Sequence, residues 1–216
     1  MAATITGDMR RREVEPALQS VPREVGWPLG AGVSWLVYGW FELSMPFGAD
    51  TVYDGRRGFE VVVDRGLFWL YSVPGAFAVM ATAMTLILIT RGLAGRRARW
   101  SRRVSGCAMA LGGMALVGVA VGAVPLYFAS QVFATPVLGA AAWLAAGPAA
   151  TPSQRLRLRG LGAAAWALLG LWPAVCALGV LSPEAGAVLV GCFGMGWATL
   201  APAVAAGGRR SACERP

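Results

Sequence analysis

The chain has 216 residues, 56% hydrophobic and only 14% charged, with a formal charge of +8 and a mean hydropathy of +0.58. These values exclude a soluble globular enzyme and a disordered chain. Lys, His and Asn are absent, so all 19 basic residues are Arg.

The missing residue types also exclude chemistry. Without His there is no imidazole-ligated haem, zinc or copper, and no Ser-His or Cys-His base. Without Lys there is no Schiff base and no P-loop lysine. Without Asn there is no glycosylation sequon. Abundant Ala, Gly, Arg, Pro and Val fit a GC-rich bacterial genome. No cofactor and no metal is expected. The four cysteines, Cys107, Cys176, Cys192 and Cys213, show neither a CxxC nor a zinc spacing. Cys176 and Cys192 share a depth and are read as separate small hydrophobes rather than a pair.

In chain order, residues 1–26 carry Arg10, Arg11, Arg12, Glu13, Glu15, Arg23 and Glu24 with no hydrophobic run. They read as a cytoplasmic tail and not as a secretory signal. A spanning helix needs about 20 apolar residues to cross about 30 Å of hydrocarbon. Six segments supply them: 27–45, 67–90, 104–122, 126–147, 161–181 and 185–206. Residues 104–147 carry no formal charge, and as one helix they would run about 66 Å, twice the membrane. They must fold back, and Gly122-Ala123-Val124-Pro125 is the turn material near their middle. Ser182-Pro183-Glu184 joins the last two spans, and 207–216 form a second tail. The expected fold is an all-α integral membrane protein: a six-transmembrane-helix bundle, N-in/C-in, with a small outer β-hairpin loop.

Orientation follows from Arg placement. Six spans put sixteen of the Arg on one side and only Arg56, Arg57 and Arg65 on the other. The basic balance is therefore topological, which argues against nucleic acid as a partner. The bacterial plasma membrane is the expected location, and anionic lipid headgroups are the expected partners of Arg96, Arg97, Arg99, Arg102 and Arg103. A membrane-protein partner or a homodimer remains open.

The loop at 46–66 holds two β-prone stretches around Asp54-Gly55-Arg56-Arg57-Gly58, an arrangement that reads as a hairpin. It is either a lid over the bundle or a tether. Trp27, Trp100 and Trp166 mark one interface; Trp40, Phe41, Trp69 and Tyr71 mark the other. Trp35, Trp172 and Trp197 lie nearer mid-depth, where a buried indole N–H seeks an acceptor on another helix. Gly139-Ala140-Ala141-Ala142-Trp143 recurs as Gly162-Ala163-Ala164-Ala165-Trp166. Such small-residue stripes let helices approach closely, as do Gly118, Gly122, Gly191, Gly194 and Gly196.

Glu42 is the only acid inside a span, and an intramembrane carboxylate is a functional candidate by default. Near the end of its span it is either interfacial or working. Tyr71, Ser72, Tyr127, Ser130 and Gln131 fall at a comparable depth. If their helices are neighbours, they and Glu42 form an outer polar pocket for a cation, an amine or a proton relay. Three functions fit. The leading one is a small permease, or the membrane component of a transport, export or immunity system. The second is a membrane-embedded enzyme joining Glu42 to outer-loop carboxylates on a lipid-like substrate. The third is a structural or assembly protein using its Gly/Ala faces.

Overall fold

A helix closes its backbone hydrogen bonds within its own segment, which is how a single span satisfies them in lipid. The computed structural model describes residues 23–44, 50–54, 58–62, 65–91, 93–149, 151–178 and 183–205, with side chains over 24–40, 69–70, 72–91, 93–149, 151–168 and 188–205. Most of both tails, with Cys213, lies outside these residues. So do the side chains of Trp172 and Cys176.

Six long α-helices appear among the described residues: α1 (Gly26–Ser44), α2 (Arg65–Arg91), α3 (Arg96–Ala120), α4 (Val124–Ala146), α5 (Pro152–Leu178) and α6 (Pro183–Ala198). Between α1 and α2, β1 (Asp50–Asp54) pairs antiparallel with β2 (Gly58–Val62), with Thr51 opposite Val61 and Tyr53 opposite Phe59. Each helix packs on the next in sequence, and α6 returns to pack along α1, so the bundle closes on itself. An inner contact joins α2 to α4.

Among the described residues, four helical stretches are long and apolar enough to cross a membrane: Ser72–Arg91, Arg96–Ala120, Val124–Ala146 and Val188–Ala205. Large apolar side chains also point outward, among them Leu29, Val33, Phe77, Val117, Phe133 and Met195. A soluble monomer rarely exposes contiguous apolar surface on this scale. Length and surface together are those of a membrane protein.

Two helices begin earlier than hydropathy suggests. α3 starts at Arg96 and α5 at Pro152, against the expected 104 and 161. Hydropathy marks where a helix is apolar, and Arg continues a helix well. The start of α5 is capped: Thr151 Oγ1 accepts the Gln154 N–H at 3.2 Å, and Pro152 occupies the first helical position, where its missing N–H is harmless. At the far end α6 stops at Ala198 and the chain turns before helix resumes over 201–205. Pro202 has no N–H for the Ala198 carbonyl four residues back, and its ring would clash there. Residues 199–200 absorb the break, with Thr199 Oγ1 donating to the Gly196 carbonyl at 2.7 Å.

The turn between α3 and α4 falls at Gly122, whose φ of 69° suits glycine. Gly122 N–H donates to Val119 O at 3.1 Å and Ala123 N–H to Gly118 O at 2.7 Å. That nested pair is a Schellman cap, which satisfies carbonyls the helix end would otherwise orphan. Pro125 then lies in the first turn of α4.

Glycine sets the closest helix crossings. On α1 and α6, a Cβ at Gly32 would lie 2.7 Å from Ala198 Cβ and 3.2 Å from Gly194 O. A Cβ at Gly194 would collide with Trp35 Cβ. The repeated Gly-Ala-Ala-Ala-Trp segments meet each other: a Cβ at Gly139 would lie 3.0 Å from Gly162 O, and one at Gly162 would lie 2.9 Å from Gly139 O. The core around these crossings is mostly Ala, with Trp35, Leu86, Leu138, Leu158, Phe193 and Trp197 among its larger members.

Candidate functional site

α1, α2 and α4 converge on Gly75. A Cβ there would lie 2.5 Å from the Tyr127 hydroxyl and 3.0 Å from Cδ2 of Tyr38. Glycine is thus what admits both tyrosines to the α2 surface. Tyr127 is fully buried and forms a satellite core with Ala76, Ala115 and Val119. Its ring meets Phe128 edge-on at 5.3 Å. Its position is fixed from behind by the α3–α4 turn, since a Cβ at Gly118 would lie 2.9 Å from Tyr127 N.

Polar groups flank this contact. Ser72 lies one turn before Gly75 on the same face of α2, and Gln131 one turn after Tyr127 on the same face of α4. Ser72 is fully buried. Neither Ser72 Oγ nor Gln131 Nε2, both buried atoms, has a hydrogen-bond partner among the described residues. Ser130 behaves differently. Its hydroxyl donates to the Leu126 carbonyl at 2.7 Å, the back-bond that Ser often makes within a helix, so it contributes little to a pocket.

Of the six expected pocket residues, Tyr127 meets α2 at Gly75, Ser72 and Gln131 stand one turn to either side of that contact on their own helices, and Ser130 bonds back onto its own helix. The side chains of Glu42 and Tyr71 lie outside the described residues. Tyr38 is the member that sequence missed. It sits in the interior of α1, and only its distance of one turn from Glu42 could have pointed to it.

Buried indoles elsewhere follow the expectation in part. Trp35 Nε1 donates to Thr82 Oγ1 at 3.0 Å, tying α1 to α2. Trp35 also meets Tyr38 and Phe193 edge-on at 6.0 and 5.3 Å. Trp197 is fully buried, yet its Nε1 has no acceptor among the described residues, and Ser105 Oγ likewise has no partner there. Cys107 and Cys192 are free and exposed.

The five arginines expected at lipid headgroups divide by contact. Arg102 Nη1 donates to the Thr90 carbonyl and, at 3.3 Å, to Leu93 O, capping the end of α2. The stem of Arg97 covers Gly147, where a Cβ would lie 2.8 Å from Arg97 Cδ. Arg103 lies over the Trp100 ring, 5.4 Å from its centroid. Arg96 and Arg99 are exposed.

Comparison with protein-family models, curated proteins and solved structures returned no match to this chain.

Proposed function

We propose that the chain is a small permease of a bacterial plasma membrane, or the membrane component of a transport, export or immunity system. It crosses the membrane six times with both termini in the cytoplasm. The Arg distribution supports this topology, since sixteen of 19 fall in segments that six spans place on one side. The β1–β2 ribbon then lies on the outer side. A membrane-impermeant thiol reagent tests it on cysteines introduced into a background with the four native ones replaced. Arg57→Cys labels in intact cells and Arg96→Cys only after lysis. Labelling of position 96 in intact cells overturns the topology.

The observation that carries the transport reading is the unpartnered pair flanking the Gly75–Tyr127 contact, Ser72 Oγ and Gln131 Nε2. A buried polar group left without a partner costs roughly 1–3 kcal/mol. A small solute bearing hydroxyl or carbonyl oxygens offsets that cost by accepting from one and then the other as it passes. Transient occupancy of such a site by a polar solute is what a permease requires.

Osmotic swelling of proteoliposomes checks this with urea, glycerol and acetamide as probes. At least one enters faster than into protein-free vesicles, and Gln131→Leu returns its rate toward theirs. Rates equal to protein-free vesicles for all three probes overturn the reading and leave the assembly role. The enzyme alternative depends on Glu42 with Asp50, Asp54, Glu60 or Asp64, whose side chains lie outside the described residues.

A further inference from the structure

We infer that the seam between α4 and α5 binds the headgroup of an anionic phospholipid, through Arg159, Trp143 and Trp166, with Arg155 beside them. The Gly139–Gly162 crossing holds the two helices close enough for their indoles to meet. Trp143 and Trp166 stack with centroids 5.8 Å apart and planes inclined by 30°. Trp166 Nε1 donates to the Pro136 carbonyl at 3.1 Å, which fixes that ring. The Arg159 guanidinium carbon lies 5.7 Å from the Trp143 centroid. The result is a cation over one ring of a stacked indole pair, ordered before any ligand arrives.

This array is open to its surroundings. Trp143 is 47% exposed and Trp166 42%. The Trp143 indole N–H makes no hydrogen bond among the described residues, so it is available as a second donor beside the guanidinium. Arg155 and Arg159 are both exposed and stand four residues apart on one helix, where like charges repel. Among the described residues no acid pairs with either: the one ion pair there joins Arg91 to Glu24. A phosphate diester supplies the missing charge and accepts from both guanidinium and indole.

A lipid rather than a free anion is favoured by the apolar part of the surface. Leu156, one turn before Arg159, is 74% exposed, and the two indoles further along the seam are exposed as well. A soluble anion would leave this surface in water. A glycerophospholipid covers it with its glycerol and upper acyl carbons, at the depth where Trp accumulates in membranes. The inference depends on the chain lying in a membrane and is independent of transport.

Native mass spectrometry of the full chain in detergent, titrated with phosphatidylglycerol or phosphatidylcholine, tests it. The first phosphatidylglycerol binds more tightly than the first phosphatidylcholine. Arg159→Gln weakens it about fivefold, the effect of one basic residue at an anionic surface, and leaves phosphatidylcholine unchanged. Arg91→Gln, which removes an exposed charge at the end of α2, keeps the phosphatidylglycerol preference, and circular dichroism verifies that both variants fold. Equal binding of the two lipids by the unaltered chain overturns the site. Equal losses in the two variants overturn it too, because bulk charge then explains the preference. Displacement of phosphatidylglycerol by equimolar inorganic phosphate overturns the lipid assignment.

Discussion

Gly194→Ala destabilises the bundle by about 2–3 kcal/mol, toward the upper end of the usual range for overpacking. The added Cβ falls onto the Trp35 Cβ and lies 3.1 Å from Gly32 O. Neither obstacle can rotate away, since a Cβ and a carbonyl oxygen move only with the backbone. α1 and α6 must separate, and the Trp35–Phe193 edge contact at 5.3 Å loosens with them. Alanine's better helix propensity returns at most about 1 kcal/mol, so the net sign is unfavourable. Unfolding in mixed micelles with increasing sodium dodecyl sulfate, followed by circular dichroism, measures the loss. Gly113→Ala is the matched control, because a Cβ there meets nothing within 4 Å. That variant is as stable as the original or slightly more so. Equal behaviour of the two variants would show that α1 and α6 are not in close contact.

Gly75→Ala lowers stability by about 1–2 kcal/mol, also through overpacking, and here the obstacle can be removed. The new Cβ would sit 2.5 Å from the Tyr127 hydroxyl oxygen, with the Tyr38 ring at 3.0 Å. Tyr127→Phe deletes that oxygen and leaves the ring in place. The double variant therefore recovers at least half of the loss caused by Gly75→Ala alone, the signature of two coupled neighbours in a double-mutant cycle. The same denaturation assay reads it. Strictly additive losses would mean that the α2–α4 contact does not run through this hydroxyl, and the flanking polar pair would then have no fixed frame.

Helix existence was legible in this chain and helix rotation was not. Length with at most one charge marked each apolar segment, and Gly122 marked the reversal because almost no other turn residue lay nearby. Rotation is read from an apolar stripe set against a polar face. A helix such as α4 is apolar nearly all round, so its sequence does not say which side meets α2. Ser130 and Gln131 are neighbours in sequence at one depth, yet about 100° apart around the axis. One bonds back to its own helix and the other is buried without a partner. The matched Gly-Ala-Ala-Ala-Trp segments were visible as small-residue stripes. That they cross each other, glycine against glycine, is a fact of rotation. The early start of α5 did have a local signal, Thr151-Pro152-Ser153-Gln154, which hydropathy overrides because the Arg residues follow it.

The Schellman cap at Gly122 bears on how the protein reaches its membrane. α3 and α4 are joined by a connection most of whose carbonyls are already bonded, and no formal charge lies between Val104 and Gly147. Dragging an unsatisfied backbone group or a charge through hydrocarbon is the expensive part of membrane entry. This tip carries no charge, and its cap leaves few backbone groups bare. During synthesis the two helices can therefore enter as one preformed hairpin, tip first, while the arginines at the start of α3 stay behind as its anchor.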